Sequence, residues 1–306
     1  LGANILGRIL PLSTIMADSP PQKRENSSKV YTLYYAFFLI PLMITIFGVM
    51  FFFMFKVLTY ETNSPMDYLT DVQYGAATKR WQAAYELSKL LAHPEQIPLD
   101  DGFHQKMISV YEHSIHDDPN VRMYLALAMG RTSDKIYGKP LLTGLEDKDK
   151  GSRVAAIKAL GNLQYLPAQQ AIFEFTKEVY SKKERLAATI ALGNMNDPAV
   201  IPVLQKLLDD EEANIRWDAA IALAKLGDDA GVPVIANLLD RSYFKNFKEV
   251  DAEEEVQAIL VAIKATSIIP KEKFINNLTR LATLDHNMQI RDLAIKTLEI
   301  TYNRKI

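Results

Sequence analysis

Histidines concentrate in one stretch of this chain, and a cluster of histidines can hold a metal ion. Four of the 5 histidines fall within residues 93–116, next to Asp117 and Asp118. His113 and His116 are three positions apart and would share one face of a helix, which is compatible with two ligands on one metal. No motif supplies a third ligand, and the HExxH pattern of zinc enzymes is absent. The sequence therefore predicts no metal site, the alternative being a site formed by His93, His104, His113 and His116.

Other catalytic constellations are also missing from the sequence. The chain has 0 cysteines, which excludes a thiol nucleophile, a disulfide framework and any cysteine-ligated metal. No phosphate-binding glycine loop, dinucleotide fingerprint, nucleophile elbow or kinase signature is present. Paired carboxylates such as Asp209 and Asp210 carry no information about distance, so they do not indicate a hydrolase. We therefore predict a protein that is not an enzyme, with no catalytic residue and no cofactor.

One amphipathic segment recurs along most of the chain. An arginine is followed by small and aliphatic residues at helical spacing, as in RWQAAYELSKL from Arg80 and RWDAAIALAKL from Arg216. Successive copies are 31 to 42 residues apart, and most intervals hold a second apolar helical segment. Gly161 and Gly193 stand where a helix is expected to end. A period of this length is typical of a helical solenoid. The signature positions are Arg80, Arg122, Arg153, Arg185, Arg216, Gln257 and Arg291.

These copies resemble HEAT repeats, in particular the short HEAT-like class of the phycobilisome lyases. The run DPNVR at residues 118–122, the LALAMG that follows it and the related segments at the other arginines carry the resemblance, which covers roughly residues 76–302. It implies an all-α fold, a right-handed superhelix of about seven helical pairs. It says little about activity, because the family includes scaffolds, adaptors, transport receptors and a few chromophore lyases.

The resemblance also implies a structural ladder of ion pairs between neighbouring repeats, in which an acid lies four residues before the arginine. Ser181 stands in the acid position before Arg185, and at Gln257 the arginine itself is missing, so the ladder is expected to be interrupted at these repeats. The implied ladder residues are Asp118 with Arg122, Asp149 with Arg153, and Glu212 with Arg216.

Two intervals are longer than the basic period, and insertions in a solenoid often bind something. Residues 93–117 form the first predicted enlarged loop. Residues 240–255 form the second, in which an aromatic and basic half precedes an acidic half. The second loop is predicted to dock a partner, the alternative being a solvated turn whose phenylalanines pack into the solenoid and whose acids favour the next helix. The predicted contact residues are Tyr243, Phe244, Lys245, Phe247 and Lys248.

An apolar segment precedes the repeats. Residues 31–55 contain no charge and hold 7 of the 13 phenylalanines. As a helix they would span about 37 Å, enough to cross a hydrocarbon core of roughly 30 Å. A buried core helix rarely runs this far without a charge, and the following residues lack the small-residue site of a cleaved signal peptide. Pro41 is expected to kink the helix, and Thr32 and Thr45 to bond back to its carbonyls. We predict a flexible tail at 1–29, a transmembrane helix at 30–57, a linker at 58–75 and the solenoid at 76–306.

Basic residues are distributed unequally around the apolar segment. Residues 1–30 carry a net charge of +2 and residues 57–306 carry −5. The positive-inside rule then places the N-terminus in the cytoplasm and the solenoid on the other side of the cell (inner) membrane. Met16 resembles an ordinary start, so residues 1–15 either come from a misassigned start codon or form a short interfacial segment.

These features predict a membrane-anchored scaffold or accessory subunit of a larger membrane complex. A repeat array offers a long rigid surface that suits protein binding better than enclosure of a small substrate. The predicted partners are protein subunits and, through residues 31–55, the lipid bilayer. With 35 basic and 37 acidic residues and no basic patch, nucleic acid is not an expected partner. The alternative is a lyase-type enzyme or chaperone-like subunit acting on a chromophore- or cofactor-bearing protein.

Overall fold

The computed structural model describes residues 31–58, 63–116 and 118–305, which fall into two units divided after residue 62. The predictions for the tail at 1–29 and for Asp117 lie outside these residues. The first unit contains helix α1 (Tyr31–Leu58), and the second contains all the other helices. Within the described residues no strand occurs, so the predicted all-α fold is confirmed.

Helix α1 is long and apolar enough to cross a membrane by length and composition. Its residues are exposed, whereas a helix of a soluble core would be buried. Residues Tyr35–Leu39 form a π-helical turn immediately before Pro41, whose missing N–H cannot complete the regular pattern of hydrogen bonds. The hydroxyl of Thr45 donates to the carbonyl of Pro41 over 2.9 Å, as the sequence predicts.

The second unit is a stack of helical pairs. Seven signature helices contain the recurring arginine or glutamine, and each packs on the next along the chain: α3, α5, α7, α9, α11, α14 and α16. Each is preceded by a companion helix, which gives the seven pairs that the sequence predicts. The helices are α2 (Pro65–Tyr74), α3 (Ala77–Leu90), α4 (Asp101–His113), α5 (Pro119–Arg131), α6 (Gly138–Thr143), α7 (Lys150–Asn162), α8 (Gln169–Glu174), α9 (Lys182–Asn194), α10 (Ile201–Leu207), α11 (Ala213–Lys225), α12 (Val232–Leu238), α13 (Arg241–Phe244), α14 (Ala252–Ile268), α15 (Ile275–Leu284) and α16 (Met288–Tyr302).

Side-chain caps and proline decide where many of these helices begin. Asp149 accepts the N–H of Ser152 at the start of α7, and Asp251 accepts the N–H groups of Glu253 and Glu254 at the start of α14. Several companion helices follow a single 3₁₀ turn, such as Pro198–Val200 before α10. These caps satisfy backbone donors that the helix itself leaves unpaired.

Glycines bring the signature helices close together. A Cβ on Gly161 would lie 2.5 Å from the Cα of Ala191, and one on Gly130 would lie 2.5 Å from the Cα of Ala159. Helix α7 ends at Asn162, one residue after Gly161, as the sequence predicts, and Gly161 allows close packing inside its last turn. The left-handed residue after this helix is Gln164, at φ 48°.

Two of the predicted irregular segments are helical. Residues 58–75 were expected to be a linker, but Ser64 and Asp67 form a capping box and helix α2 buries Leu69 and Val72 completely. Residues 93–117 were expected to be an enlarged loop, but α4 occupies Asp101–His113 as the companion helix of its repeat. In both segments the buried residues recur at helical spacing, so burial drives helix formation where the repeat signature is absent.

The core of the solenoid is divided at helix α11. One buried cluster extends from α2 to α11, and a second extends from α11 to α16. Ile215 and Leu223 belong to the first cluster, whereas Trp217 and Ile221 belong to the second. Helix α11 therefore joins a regular stack of repeats to a less regular one.

Candidate protein-binding surface

Arginines link consecutive repeats through buried ion pairs. Arg122 donates through Nε and Nη2 to the carboxylate of Asp147 in the next repeat, over 2.5 and 2.9 Å. Its Nη1 donates to the carbonyls of Ser114 and Ile115, each over 3.0 Å. One guanidinium thus fixes the loop before its own helix and the loop before the next helix. A bidentate arginine–carboxylate pair fixes the relative orientation of the two groups in addition to attracting them.

The next two arginines also bind an acid that lies in the following repeat. Arg153 donates through Nε and Nη2 to Glu184 over 2.8 and 2.5 Å, and Arg185 donates to Asp210 over 2.8 Å. Burial alone would raise the pKa of Glu184, but the hydrogen bonds from Ser181 and Arg153 outweigh it and hold the pKa below its usual value. Glu184 is therefore an ionised partner of Arg153 at neutral pH.

The acid four residues before the arginine is not the partner that joins these repeats. Asp149 caps helix α7 while Arg153 binds Glu184, so the implied pairing of these two residues is wrong. Asp118 caps α5 by accepting the N–H of Asn120 over 2.8 Å. The expected interruption at Arg185 does not occur, because the acid that it binds lies in the following repeat. An N-terminal acid is already engaged by backbone donors, which leaves the arginine for the next repeat.

The ladder is interrupted one repeat later, at Arg216. Arg216 donates to the carbonyls of Asp210 and Glu211, and within the described residues no carboxylate pairs with it. Glu212, the acid that the sequence assigned to Arg216, pairs with Lys182. The stack therefore lacks an arginine–carboxylate pair between α11 and α14.

An arginine from the 240–255 segment restores the ladder beyond this gap. Arg241, in the short helix α13, binds Asp285 over 2.6 and 3.0 Å and Glu255 over 2.6 Å. Burial alone would raise the pKa of Asp285, but the guanidinium of Arg241 holds it below the usual range. Arg241 thus supplies the charge that is missing at Gln257.

The aromatic residues of the same segment point inward. Phe244 is buried, and Phe247 and Tyr243 are partly buried against Trp217, with ring centroids 5.4 and 6.3 Å from the indole. The Nε1–H of Trp217 donates to the hydroxyl of Tyr243 over 3.4 Å. Lys245 and Lys248 are exposed. Of the five residues predicted to contact a partner, the two lysines are therefore the most accessible.

A cleft of about 230 Å³ opens between four helices near this aromatic cluster. Burial raises the pKa of Asp218 to about 6, an effect that the charge of Lys225 offsets only in part. The cleft is lined by Leu186 of α9, Asn214, Trp217, Asp218 and Ile221 of α11, Leu238 of α12, and Gln257, Ala258 and Val261 of α14.

A second hollow, of about 610 Å³, combines apolar and basic residues. Met123 and Val154 contribute apolar side chains, and the exposed lysines Lys150, Lys182 and Lys183 surround them. This hollow spans three consecutive repeats. It could accept an apolar group flanked by negative charge.

The histidines do not come together. His104 is buried and hydrogen-bonds through Nδ1 to the hydroxyl of Tyr137 over 2.7 Å. His113 bonds through Nδ1 to the carbonyl of Ser109 over 2.7 Å, and His93 lies 3.8 Å from Glu95. The side chain of His116 lies outside the described residues. Among the residues that the structure describes, no group of three or more potential ligands could hold a metal ion.

Neither the acids that bind an arginine of the preceding repeat nor the cleft is predicted from the sequence, although both leave a trace there. Asp147, Asp210 and Asp285 all lie six residues before a signature arginine, where the repeat of Arg185 has Val179. Asp218 is the one acid found two residues after a signature arginine.

Comparison with known proteins agrees with this architecture. Residues 171–252 match the HEAT repeats family. No curated protein sequence matches the chain significantly. The complex of CpcE and CpcF of phycocyanin lyase from Nostoc sp. PCC7120 matches with a TM-score of 0.52 and 19% identity, over 80% of this chain and 96% of that chain.

Two other solved structures match less well. Human deoxyhypusine hydroxylase has a TM-score of 0.35 and 17% identity, over 78% of this chain and 85% of its own. Computationally designed armadillo repeat proteins for modular peptide recognition have a TM-score of 0.38 and 16% identity, over 78% of this chain and 99% of theirs. The chain is therefore similar to HEAT repeats over residues 171–252, and its second unit has a helical-repeat solenoid fold like that of the phycocyanin lyase complex.

Proposed function

We propose that the chain is a non-catalytic scaffold or accessory subunit that helix α1 anchors to a membrane and whose solenoid binds other protein subunits of a membrane complex. The observation that carries this proposal is the continuous stack of seven helical pairs, held by arginines that cross from repeat to repeat. Such a stack presents a long, rigid surface. Anchoring would raise its effective concentration beside an integral partner, so modest contacts would be sufficient.

We propose two contact regions on the solenoid. One is the 240–255 segment, where inward-pointing aromatic residues, Phe244 foremost, hold Lys245 and Lys248 at the surface. The other is the hollow that Lys150 and Lys183 flank. The exposed lysines of the two regions would favour acidic groups on a partner, although residues 240–255 as a whole carry six acidic and three basic side chains.

Detergent extraction followed by gentle native separation tests the scaffold proposal. We expect the full chain to co-migrate with a defined set of proteins, and a purely monomeric chain would contradict the proposal. The paired substitutions Lys245→Glu with Lys248→Glu, and Lys150→Glu with Lys183→Glu, should weaken co-migration if their region is the contact. Lys264→Glu with Lys296→Glu provides a control of the same charge change on two exposed lysines outside both regions.

We propose that the N-terminus lies in the cytoplasm and the solenoid on the opposite side of the membrane. The distribution of lysine and arginine around α1 supports this orientation. Protease added to intact cells, or to spheroplasts if an outer membrane is present, should then digest the solenoid. Digestion only after the membrane is opened would reverse the assignment.

A lyase-type function is the second candidate, and the fold likeness to the phycocyanin lyase complex favours it. It would require the chain to bind a chromophore or the protein that carries one. A shifted absorption band on mixing the purified chain with a linear tetrapyrrole would support it. An unshifted spectrum at saturating concentration would count against it.

A further inference from the structure

The cleft beside Trp217 has an apolar lining with one carboxylate. Leu186, Ile221 and Val261 lie on three different helices and form much of its wall. Asn214, Asp218 and Ile221 follow one another at helical spacing and therefore lie on one face of α11. The cleft is thus a depression into which a single acidic side chain projects.

Three polar side chains of this cleft lack partners. Across the described parts of the chain, neither a hydrogen bond nor an ion pair is found for the side chains of Asp218, Asn214 and Gln257. Lys225 acts on Asp218 through its charge but lies two turns along the same helix and does not line the cleft. The residues lining the cleft from α9, α12 and α14 are uncharged. No internal cation therefore neutralises this carboxylate.

An ionised carboxylate in apolar surroundings is costly unless a cation approaches it. An indole beside the carboxylate adds attraction for an ammonium or guanidinium group. One carboxylate and two amides are a poor ligand set for a metal ion but suit an organic cation with an apolar stem. If each water-sized group takes about 30 Å³, the cleft of about 230 Å³ has room for roughly eight such groups. A long basic side chain is about this size.

We propose that this cleft binds a lysine or arginine side chain of a partner protein, with its cation at Asp218 and its stem against Trp217. Asn214 and Gln257 flank the carboxylate, and their side-chain amides can donate to and accept from the peptide groups next to the bound residue. These amides favour a side chain on a polypeptide over a free amine. The inference rests on the proposed scaffold function and assigns one recognition site to it.

Titration with a small lysine derivative tests this site directly. Substituting Trp81 by Phe leaves Trp217 as the sole tryptophan of the full chain in detergent, because the sequence has 2. N-acetyl-lysine N-methylamide should then cause a saturable change in the fluorescence of Trp217. The uncharged norleucine analogue should bind at least tenfold more weakly. Equal binding of both compounds, or no saturable response, would overturn the inference.

Two matched variants separate the cleft from general charge effects. Asp218→Asn keeps the shape of the side chain and should weaken binding of the lysine derivative at least tenfold. Asp209→Asn, on an exposed turn, should leave binding unchanged. Equal affinity of wild type and Asp218→Asn would refute the role of the carboxylate. If the chain binds the derivative but migrates alone, the scaffold proposal is refuted and the proposed binding site in the cleft is retained. If the chain co-migrates with other proteins but Asp218→Asn binds the derivative as wild type does, only the proposed binding site is refuted.

Discussion

The substitution Asp218→Asn should stabilise the protein at neutral pH. Burial raises the pKa of Asp218 from 3.8 to about 6. A difference of about two pH units corresponds to roughly 3 kcal/mol at 1.36 kcal/mol per unit. Because Asp218 is partly exposed and water screens part of this cost, we expect a gain of about 1–3 kcal/mol.

The sign of the pH dependence follows from the raised pKa. Below pH 3.8 the carboxyl group is protonated in both the folded and the unfolded state, and the variant gains nothing. Between 3.8 and about 6 the unfolded state releases the proton first, so wild-type stability falls relative to the variant as pH rises. Above about 6 the difference is constant. The gain should therefore be largest at pH 7 to 8 and vanish near pH 4.

Urea unfolding of the full chain in detergent, followed by tryptophan fluorescence, measures this difference. Wild type and Asp218→Asn should be compared at pH 4, 5, 6 and 7.5, with Asp209→Asn as the exposed control. A constant difference across this range, or a loss of stability in the variant at pH 7.5, would refute the reasoning. The first result would mean that burial does not shift the pKa of Asp218, and the second would mean that the folded protein stabilises the ionised carboxylate.

Three further substitutions test the packing and the ladder. Gly161→Ala should cost about 1–3 kcal/mol in urea unfolding, since a Cβ there would meet the backbone of the next helix at 2.5 Å. Arg241→Ala should cost about 1–3 kcal/mol at pH 7, because the Asp285 side chain is only 1% exposed and loses its cation; the cost should disappear as acid protonates that carboxylate, whose pKa is lowered in the folded state. Glu184→Gln should weaken the link to Arg153 and lower stability by about 1–2 kcal/mol, again only above the pKa of the glutamate.

Controls for these changes lie close in the structure. Gly151→Ala is in the same helix as Gly161, but its Cβ would meet a carboxylate oxygen of Asp149 at 3.1 Å, so its effect should be small. Arg280→Ala breaks an exposed ion pair with Asp240 and should cost less than about 1 kcal/mol. If Arg241→Ala and Arg280→Ala lower the free energy of unfolding equally, the buried ion pair stabilises the protein no more than the exposed one does.

The repeat fold could be predicted because its cause is local. Small and aliphatic residues recur at helical spacing after each arginine, and this period directly encodes a face that the neighbouring helix must cover. Helices α2 and α4 were missed because they bury a face without repeating the arginine signature. In the first of them, the burial of Leu69 and Val72 acts together with the capping box of Ser64.

The ladder partners could not be read from spacing within one repeat. An acid four residues before an arginine satisfies the distance rule for a helix, but Asp149 is already bound to backbone N–H groups at the helix start. The arginine therefore reaches an acid of the following repeat, and which acid it reaches depends on how two helices pack. Glu184 takes this place where Val179 replaces the usual aspartate.

Several irregularities of the solenoid coincide at α11. The buried core divides there, Arg216 lacks a carboxylate from the next repeat among the described residues, and α13 is inserted before α14. Where the stack is regular, the arginine of one repeat is paired with a carboxylate of the next, and neither charge is left unpaired. Regular stacking therefore gives no reason to retain an unpaired acid such as Asp218 in an apolar cleft. Natural proteins break local rules mainly where function requires it. The cost of Asp218 to stability and its lack of an internal partner therefore have one common explanation, a cation supplied by another molecule.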